Sequence, residues 1–135
     1  MLELVKNWLV TFPQWNDGTL YVEHTDVTTG NAGLYPTGLQ ELQRTRDILG
    51  NTKVKNRCSF LLRRVTSHGR DNTCHAQWLL QLQSWVQSQS LLGLAPKLGE
   101  NTRWFAQKGR LTEGTQPGTG VYSLELVAEY EITSN

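Results

Sequence analysis

The sequence predicts an α+β fold, in which a twisted antiparallel or mixed sheet carries an N-terminal helix and one central helix on the same face. Residues 121–132 alternate between apolar and polar side chains, as a half-buried strand does. Residues 53–67 alternate between apolar and basic side chains, and residues 73–89 between them have helical spacing. Two long strands with a helix across one face are typical of α+β layering. A chain of 135 residues has the size of one domain, so residues 1–135 are predicted to form a single domain.

The two long strands each have a predicted core face. In the last strand this face carries Tyr122, Leu124, Leu126, Ala128, Tyr130 and Ile132. Val127 breaks the pattern, because it falls among the polar positions. In the earlier strand the core face carries Val54, Cys58, Phe60 and Leu62, and the opposite face carries Lys53, Lys55, Arg57 and Arg63. The second face is therefore expected to meet solvent or a partner.

Two helices are expected. Apolar side chains at spacings of three and four predict a helix over residues 1–12, which Pro13 ends. A stripe of Trp78, Leu82, Trp85 and Val86 predicts the central helix over 73–89.

The connections are less regular. Short strands are predicted at 19–24 and 102–107. Three glycines and Pro36 predict a loop over 25–38, and a Gly/Thr-rich stretch predicts a connector over 109–120. Residues 39–48 fit a helix or a strand, and the strand is favoured because 49–52 would then join it to the next strand as a hairpin.

Composition argues against several classes of function. The net charge is +1 and the predicted pI about 7.8, so no long-range attraction to nucleic acid or anionic membrane is expected. No apolar stretch approaches the ~20 residues of a membrane helix, and no signal peptide is visible. Synthesis in the cytoplasm, with two reduced cysteines and no membrane partner, is therefore expected.

No catalytic, metal-binding or cofactor-binding motif is recognisable. The soft ligands Cys58, Cys74, His24, His68 and His75 lack the paired spacing of zinc sites. No serine lies in a nucleophile elbow, and no glycine-rich phosphate loop occurs. The sequence therefore predicts no enzyme, no metal and no cofactor. A small-molecule-modifying enzyme is a distant alternative.

A basic strand raises the question of nucleic acid. Its cationic side chains are Lys53, Lys55, Arg57, Arg63 and Arg64. Phe60 alternates to the face opposite Arg57 and Arg63, so aromatic and basic groups do not combine into a stacking platform. A solvated or intersubunit face is favoured, and no sequence-specific nucleic-acid partner is expected.

Taken together, an ordered series of features resembles one family. An amphipathic N-terminal helix precedes Leu20-Tyr21-Val22-Glu23, Gly33–Pro36, the strand 57–64, the Trp85-Val86 helix, Leu94-Ala95-Pro96 and a terminal Tyr-x-Leu-x-Leu strand. In this order they resemble the small minor-capsid or tail-completion proteins of phages and prophages of Gram-positive bacteria. That family is similar in plan to tail-terminator and head–tail joining proteins, and the resemblance covers nearly the whole chain.

The resemblance implies a structural virion protein at the head–tail interface. It implies a homo-oligomeric ring, commonly a hexamer, that is often monomeric before assembly and contacts the tail tube protein and a head connector or head-completion protein. A minor capsid or head-completion role in the same module is the alternative. The predicted assembly interface comprises Thr28, Gly30, Asn31, Gly33, Tyr35, Arg57, Arg63, Thr112, Glu113 and Thr115.

Overall fold

The computed structural model describes residues 1–15, 18–23, 31–67, 73–113 and 118–134. Within these residues the chain forms two helices and five strands. The helices are α1 (Leu2–Leu9) and α2 (Thr73–Leu92). The strands are β1 (Leu20–Val22), β2 (Ala32–Arg46), β3 (Thr52–Ser67), β4 (Glu100–Glu113) and β5 (Thr119–Ser134).

All five strands lie in one sheet, in the order β1-β2-β3-β5-β4. The short β1 pairs parallel with the start of β2, and every other neighbour pair is antiparallel. The sheet is therefore mixed, and the predicted α+β class is confirmed. β3 and β5 are the two long alternating strands of the sequence, and they pair along their full length from Thr52↔Ser134 to Ser67↔Thr119.

Both helices pack on one face of this sheet, as predicted. Phe60 and Leu62 of β3 and Leu124 and Leu126 of β5 are buried there, which confirms the predicted core faces. We call this side the core face and the opposite side the open face. Ile132 departs from the pattern, since it lies beyond the helices and is 46% exposed.

Tryptophans join the helices to the core face. The Trp8 ring of α1 lies 5.2 Å from that of Trp85 in α2 and 5.1 Å from that of Trp104 in β4. Buried indole N–H groups need acceptors. Trp104 Nε1 donates to Pro96 O at 2.8 Å, and Trp78 Nε1 donates to Gln14 O at 2.7 Å. These bonds fix loops as well as helices onto the sheet.

Two predicted connections are wrong where the structure describes them. Residues 32–38 begin β2 instead of ending a loop, and residues 109–113 continue β4. Glycine and proline mark loops only when no neighbouring strand holds them. Pro36 is tolerated because β1 pairs with β2 only as far as Leu34, so no described strand needs its missing N–H. Residues 119–120 of the predicted connector belong to β5, and residues 25–30 and 114–117 lie outside the described residues.

The strand interpretation of residues 39–48 is confirmed. β2 runs to Arg46, and its register with β3 shifts between Pro36 and Gly38 and again between Glu41 and Gln43. These irregularities explain why the alternation in this segment was weak, because each bulge changes which face the next side chain meets.

Candidate functional site

The first candidate surface is a β-hairpin that extends beyond the core, which we call the arm (residues 36–57). It consists of β2 from residue 36 to 46, the turn 47–51 and β3 from residue 52 to 57, and this part of β3 also pairs with β5 from Thr52↔Ser134 to Arg57↔Glu129. Every residue from 36 to 46 is exposed, so both faces of this part of β2 meet solvent. Its outer edge carries no partner strand within the described part of the chain. Proteins usually blunt an open edge with charged residues, proline or bulges, or cover it with another segment or chain.

The turn at the end of the arm is well ordered and apolar. Asp47 Oδ1 accepts hydrogen bonds from the backbone N–H groups of Leu49 and Asn51, each at 2.9 Å. The Gly50 N–H donates to Asp47 O at 3.1 Å, and Gly50 takes a φ of 88° that favours glycine. Ile48 and Leu49 are thereby held outward, 102% and 82% exposed. Two adjacent apolar side chains at a fixed position form a contact surface.

The base of the arm carries an open cavity of about 640 Å³ on the α1 side. Its apolar lining comprises Met1, Leu2, Pro36, Leu39, Cys58 and Phe60. Cys58 Sγ lies 3.7 Å from Met1 Sδ, and burial raises the pKa of the Cys58 thiol. A raised pKa disfavours the thiolate, so Cys58 acts here as an apolar wall instead of a nucleophile.

The second candidate surface is the open face, where two rows of side chains cross β3, β5 and β4. In the first row Arg57 pairs with Glu129, and Glu129 pairs with Arg103. Arg57 Nη2 donates to Glu129 Oε2 at 2.7 Å, and Arg103 Nη2 donates to Glu129 Oε1 at 2.5 Å. We call this set the closed row, because one carboxylate engages both guanidinium groups.

Glu129 is charged and almost fully buried, with 6% of its surface exposed. The hydrogen bond from Arg57 lowers the pKa of its carboxyl group, against the opposing effect of burial, and Arg103 adds to the lowering. The Arg57 and Arg103 side chains are 41% and 67% exposed. Glu129 thus offsets part of the positive charge of Arg57 and Arg103 on the open face, and the closed row ties three strands together.

In the second row Arg63 pairs with Ser123, and Ser123 pairs with Arg110. Ser123 occupies the central position that Glu129 holds in the closed row. Both guanidinium groups are exposed, and neither makes a hydrogen bond or ion pair with a described residue. We call this set the open row. It borders a cavity of about 710 Å³ that Lys108 and Thr112 also line.

A bulge in β4 sets the direction of the side chains at the open row. The register with β5 shifts between Gln107 and Arg110, and Lys108 takes a positive φ of 56°. A Cβ at Gly109 would lie 2.9 Å from Leu79 Cδ2, so this position faces α2 at close range. Lys108 and Arg110 on either side of Gly109 both line the open-face cavity. A bulge that redirects side chains is a common device at binding sites.

The basic residues of β3 do not form one surface. Arg57 and Arg63 lie on the open face, whereas the Arg64 guanidinium lies 4.1 Å over the Trp78 ring on the core side. Burial lowers the pKa of Arg64 from its ordinary value. Phe60 lies in the core, as the alternation predicts, but Phe105 faces the open side one row from Arg103. The Arg103 guanidinium lies 5.6 Å from the centre of the Phe105 ring.

The structure separates the ten residues predicted for an assembly interface. Arg63 and Thr112 meet at the open-face cavity, and Arg57 belongs to the closed row. Asn31 lies before β2, where its side chain accepts a hydrogen bond from Thr19 N at 2.9 Å. Gly33 is buried in β2. The remaining residues are Tyr35, half-buried in β2, Glu113 at the end of β4, and Thr28, Gly30 and Thr115 outside the described residues.

Sequence reasoning identifies Arg57, Arg63 and Thr112 but misses the other residues of the two surfaces. Arg110 falls within the predicted connector 109–120, and Lys108 falls between that connector and the predicted strand 102–107. Ile48 ends the predicted strand 39–48, and Leu49 begins the predicted turn 49–52. Two adjacent apolar residues before Gly50-Asn51 were a usable signal, because turn tips are normally polar. The pairing of Arg63 with Arg110 had no local signal.

No model of a known protein family matches the chain, and no curated protein matches it. Among the described residues, no group of three or more His, Cys, Asp or Glu side chains is placed to hold a metal ion. His24 and His68 fall outside those residues. Neither α1 nor α2 combines the length and apolar character that a membrane-spanning helix requires.

Proposed function

We propose that this protein is a structural assembly protein of a tailed phage or prophage, in which copies join through the arm into a ring. In this proposal the ring is a tail terminator or head–tail joining ring at the head-proximal end of the tail tube. The order of sequence features supports the phage setting by resemblance. The arm carries the assembly part of the proposal, because its outer strand, residues 36–46 of β2, is exposed on both faces and its tip is apolar.

Holding this hairpin in one conformation costs conformational entropy, and contacts within a single copy offset only part of that cost. Each backbone residue that is fixed costs roughly 1–2 kcal/mol of conformational entropy. Residues 36 to 46 all remain exposed, so burial within one copy offsets only part of this cost. Contact with another copy supplies that burial, and an unpaired outer edge on β2 offers backbone groups to a neighbouring strand.

The same chain carries an apolar tip and an apolar cavity. About nine residues of extended strand separate Ile48 from Leu39, a distance of roughly 30 Å. The tip therefore cannot reach the cavity of its own copy. We propose that Ile48 and Leu49 of one copy enter the cavity beside Leu39 of the next. Contacts between two different patches generate a ring when the rotation closes.

A complementation experiment tests both parts of the proposal. The reading frame is deleted from its phage or prophage, lysis is induced, and particles are examined by negative-stain electron microscopy. Full heads beside unattached tails of abnormal length are the expected result. Empty heads with normal tails would indicate the head-completion alternative, and intact infectious virions would contradict the phage-assembly proposal.

Variants supplied in trans then test the arm. An Ile48→Ser, Leu49→Ser double variant is expected to leave heads and tails unjoined. Leu80→Ser is the matched control, because Leu80 is a 65% exposed leucine on α2, away from the arm. It is expected to restore joined virions. Full restoration by the double variant would show that the arm tip is not the contact.

A further inference from the structure

The open row is a pair of exposed arginines on either side of a serine. In the closed row, Arg57 and Arg103 engage separate oxygens of the Glu129 carboxylate. In the open row, Arg63 and Arg110 flank Ser123 in the same register across the same three strands. Within the described residues neither of these two guanidinium groups has an acidic or hydrogen-bonding partner. We propose that the open row binds a phosphate group, a site independent of the arm.

The closed row shows that this geometry can hold one anion from both sides. Neighbouring strands lie about 4.8 Å apart, so the outer residues of either row are separated by roughly 10 Å between Cα atoms. Arg57 and Arg103 span that separation to meet one carboxylate over β5. Arg63 and Arg110 can do the same over Ser123. The short Ser123 side chain leaves the space above β5 empty, as part of the cavity of about 710 Å³.

The one acidic residue in the cavity lining does not lie between the two arginines. Glu125 lies in the next row along β5, opposite Leu61 and Gln107. Its Oε1 accepts a hydrogen bond from Gln107 Nε2 at 3.0 Å, and its Oε2 lies 3.6 Å from Lys108 Nζ. The cavity lining therefore carries three cationic side chains and one carboxylate. That carboxylate already contacts Gln107 and Lys108.

The donors around the cavity favour a tetrahedral anion over a carboxylate. A guanidinium fork binds two oxygens of either kind of anion. The Ser123 and Thr112 hydroxyl groups also line the cavity and can donate to further oxygens, which phosphate has and a carboxylate lacks. Such a phosphate could be the free ion or a backbone phosphate of nucleic acid, bound without reading sequence.

The first test is a titration of the full chain with inorganic phosphate at constant ionic strength, followed by backbone amide chemical shifts. The expected result is a set of saturable shifts centred on Arg63, Arg110 and Ser123. Ser123→Glu places a carboxylate between the two arginines, as in the closed row, and is expected to weaken phosphate binding about tenfold or more. Arg110→Gln, at an exposed position, is expected to weaken phosphate binding as well. It tests the site independently if Ser123→Glu fails to fold.

A labelled single-stranded oligonucleotide, followed by fluorescence anisotropy, distinguishes the two sources. If inorganic phosphate displaces the oligonucleotide, or binds alone, the free ion is sufficient. If only the oligonucleotide binds and Ser123→Glu abolishes binding, the phosphate belongs to nucleic acid. Lys97→Gln is the control, since it removes one positive charge at an exposed position outside both candidate surfaces. Binding unchanged by Ser123→Glu and Arg110→Gln, or no binding of either probe, would overturn the proposal.

Discussion

The closed and open rows share the same strand pairing and differ at the central position and in the β4 bulge beside the open row. Each places an arginine on β3 and another on β4, with the middle residue supplied by β5. Glu129 in the middle accepts hydrogen bonds from both guanidinium groups, and the resulting cluster contributes to stability. Ser123 in the middle leaves two cations beside a cavity. The residue at the central position on β5 therefore determines whether the two arginines form hydrogen bonds within the protein or remain available to a ligand.

The largest expected change in the free energy of unfolding comes from removing the carboxylate at the centre of the closed row. Glu129→Ala removes an almost fully buried carboxylate that accepts hydrogen bonds from two guanidinium groups. We expect the free energy of unfolding to fall by about 2 kcal/mol, a value reduced for the exposure of both arginines. Urea denaturation measures it. Glu41→Ala, which removes the exposed Glu41–Arg44 pair on the arm, should cost less than about 0.5 kcal/mol. Equal losses of stability in Glu129→Ala and Glu41→Ala would show that the closed row contributes no more than an exposed ion pair.

Acid should remove the contribution of the closed row. The pKa of Glu129 is lowered in the folded state, mainly by the hydrogen bond from Arg57. A lowered folded pKa means that the stabilisation is complete above the unfolded value near 4.5 and is lost as pH falls through the folded value. We expect the stability difference between wild type and Glu129→Gln, about 1 kcal/mol at pH 7, to shrink below pH 4.5. Urea midpoints from pH 7 to 3 measure it, and a constant difference would contradict the assignment.

Placing a carboxylate at the centre of the open row should raise the free energy of unfolding by a smaller amount. Ser123→Glu places a carboxylate between Arg63 and Arg110, in the register that Glu129 has between its partners. Since this end of the face is more exposed, we expect a gain of about 0.5 kcal/mol in the free energy of unfolding. The gain should disappear when Arg63→Gln and Arg110→Gln are also present. A gain that survives their removal would show that the carboxylate acts elsewhere.

The smallest effects are expected from the arginines of the open row. Arg63→Gln and Arg110→Gln should each change the free energy of unfolding by less than about 0.5 kcal/mol, because neither side chain contacts a described residue through a hydrogen bond or ion pair. Arg57→Gln should cost more, since it removes two hydrogen bonds to Glu129. Chemical denaturation of the three variants side by side checks the ranking.

Local sequence patterns predicted most of the fold. The alternation from Tyr122 to Tyr130 and the stripe from Trp78 to Val86 gave β5 and α2, because one-sided burial imposes a period of two on strands and about 3.6 on helices. The predicted loop over 25–38 failed where glycines and Pro36 lie in β2. In that segment pairing with β3 overrides the local preference, and no single-strand pattern reports such pairing.

Local sequence patterns were sufficient for the fold class, the two long strands, both helices and the faces on which Phe60 and Arg63 lie. The two candidate surfaces depend on tertiary structure. In the arm, residues 36–46 of β2 are exposed while their partner β3 is covered on its other edge by β5, an arrangement set by strand order. The open row joins Arg63 and Arg110 through Ser123, residues distant along the chain. Strand order and the β4 bulge bring them together, and both arise from long-range backbone pairing that local periodicity does not encode.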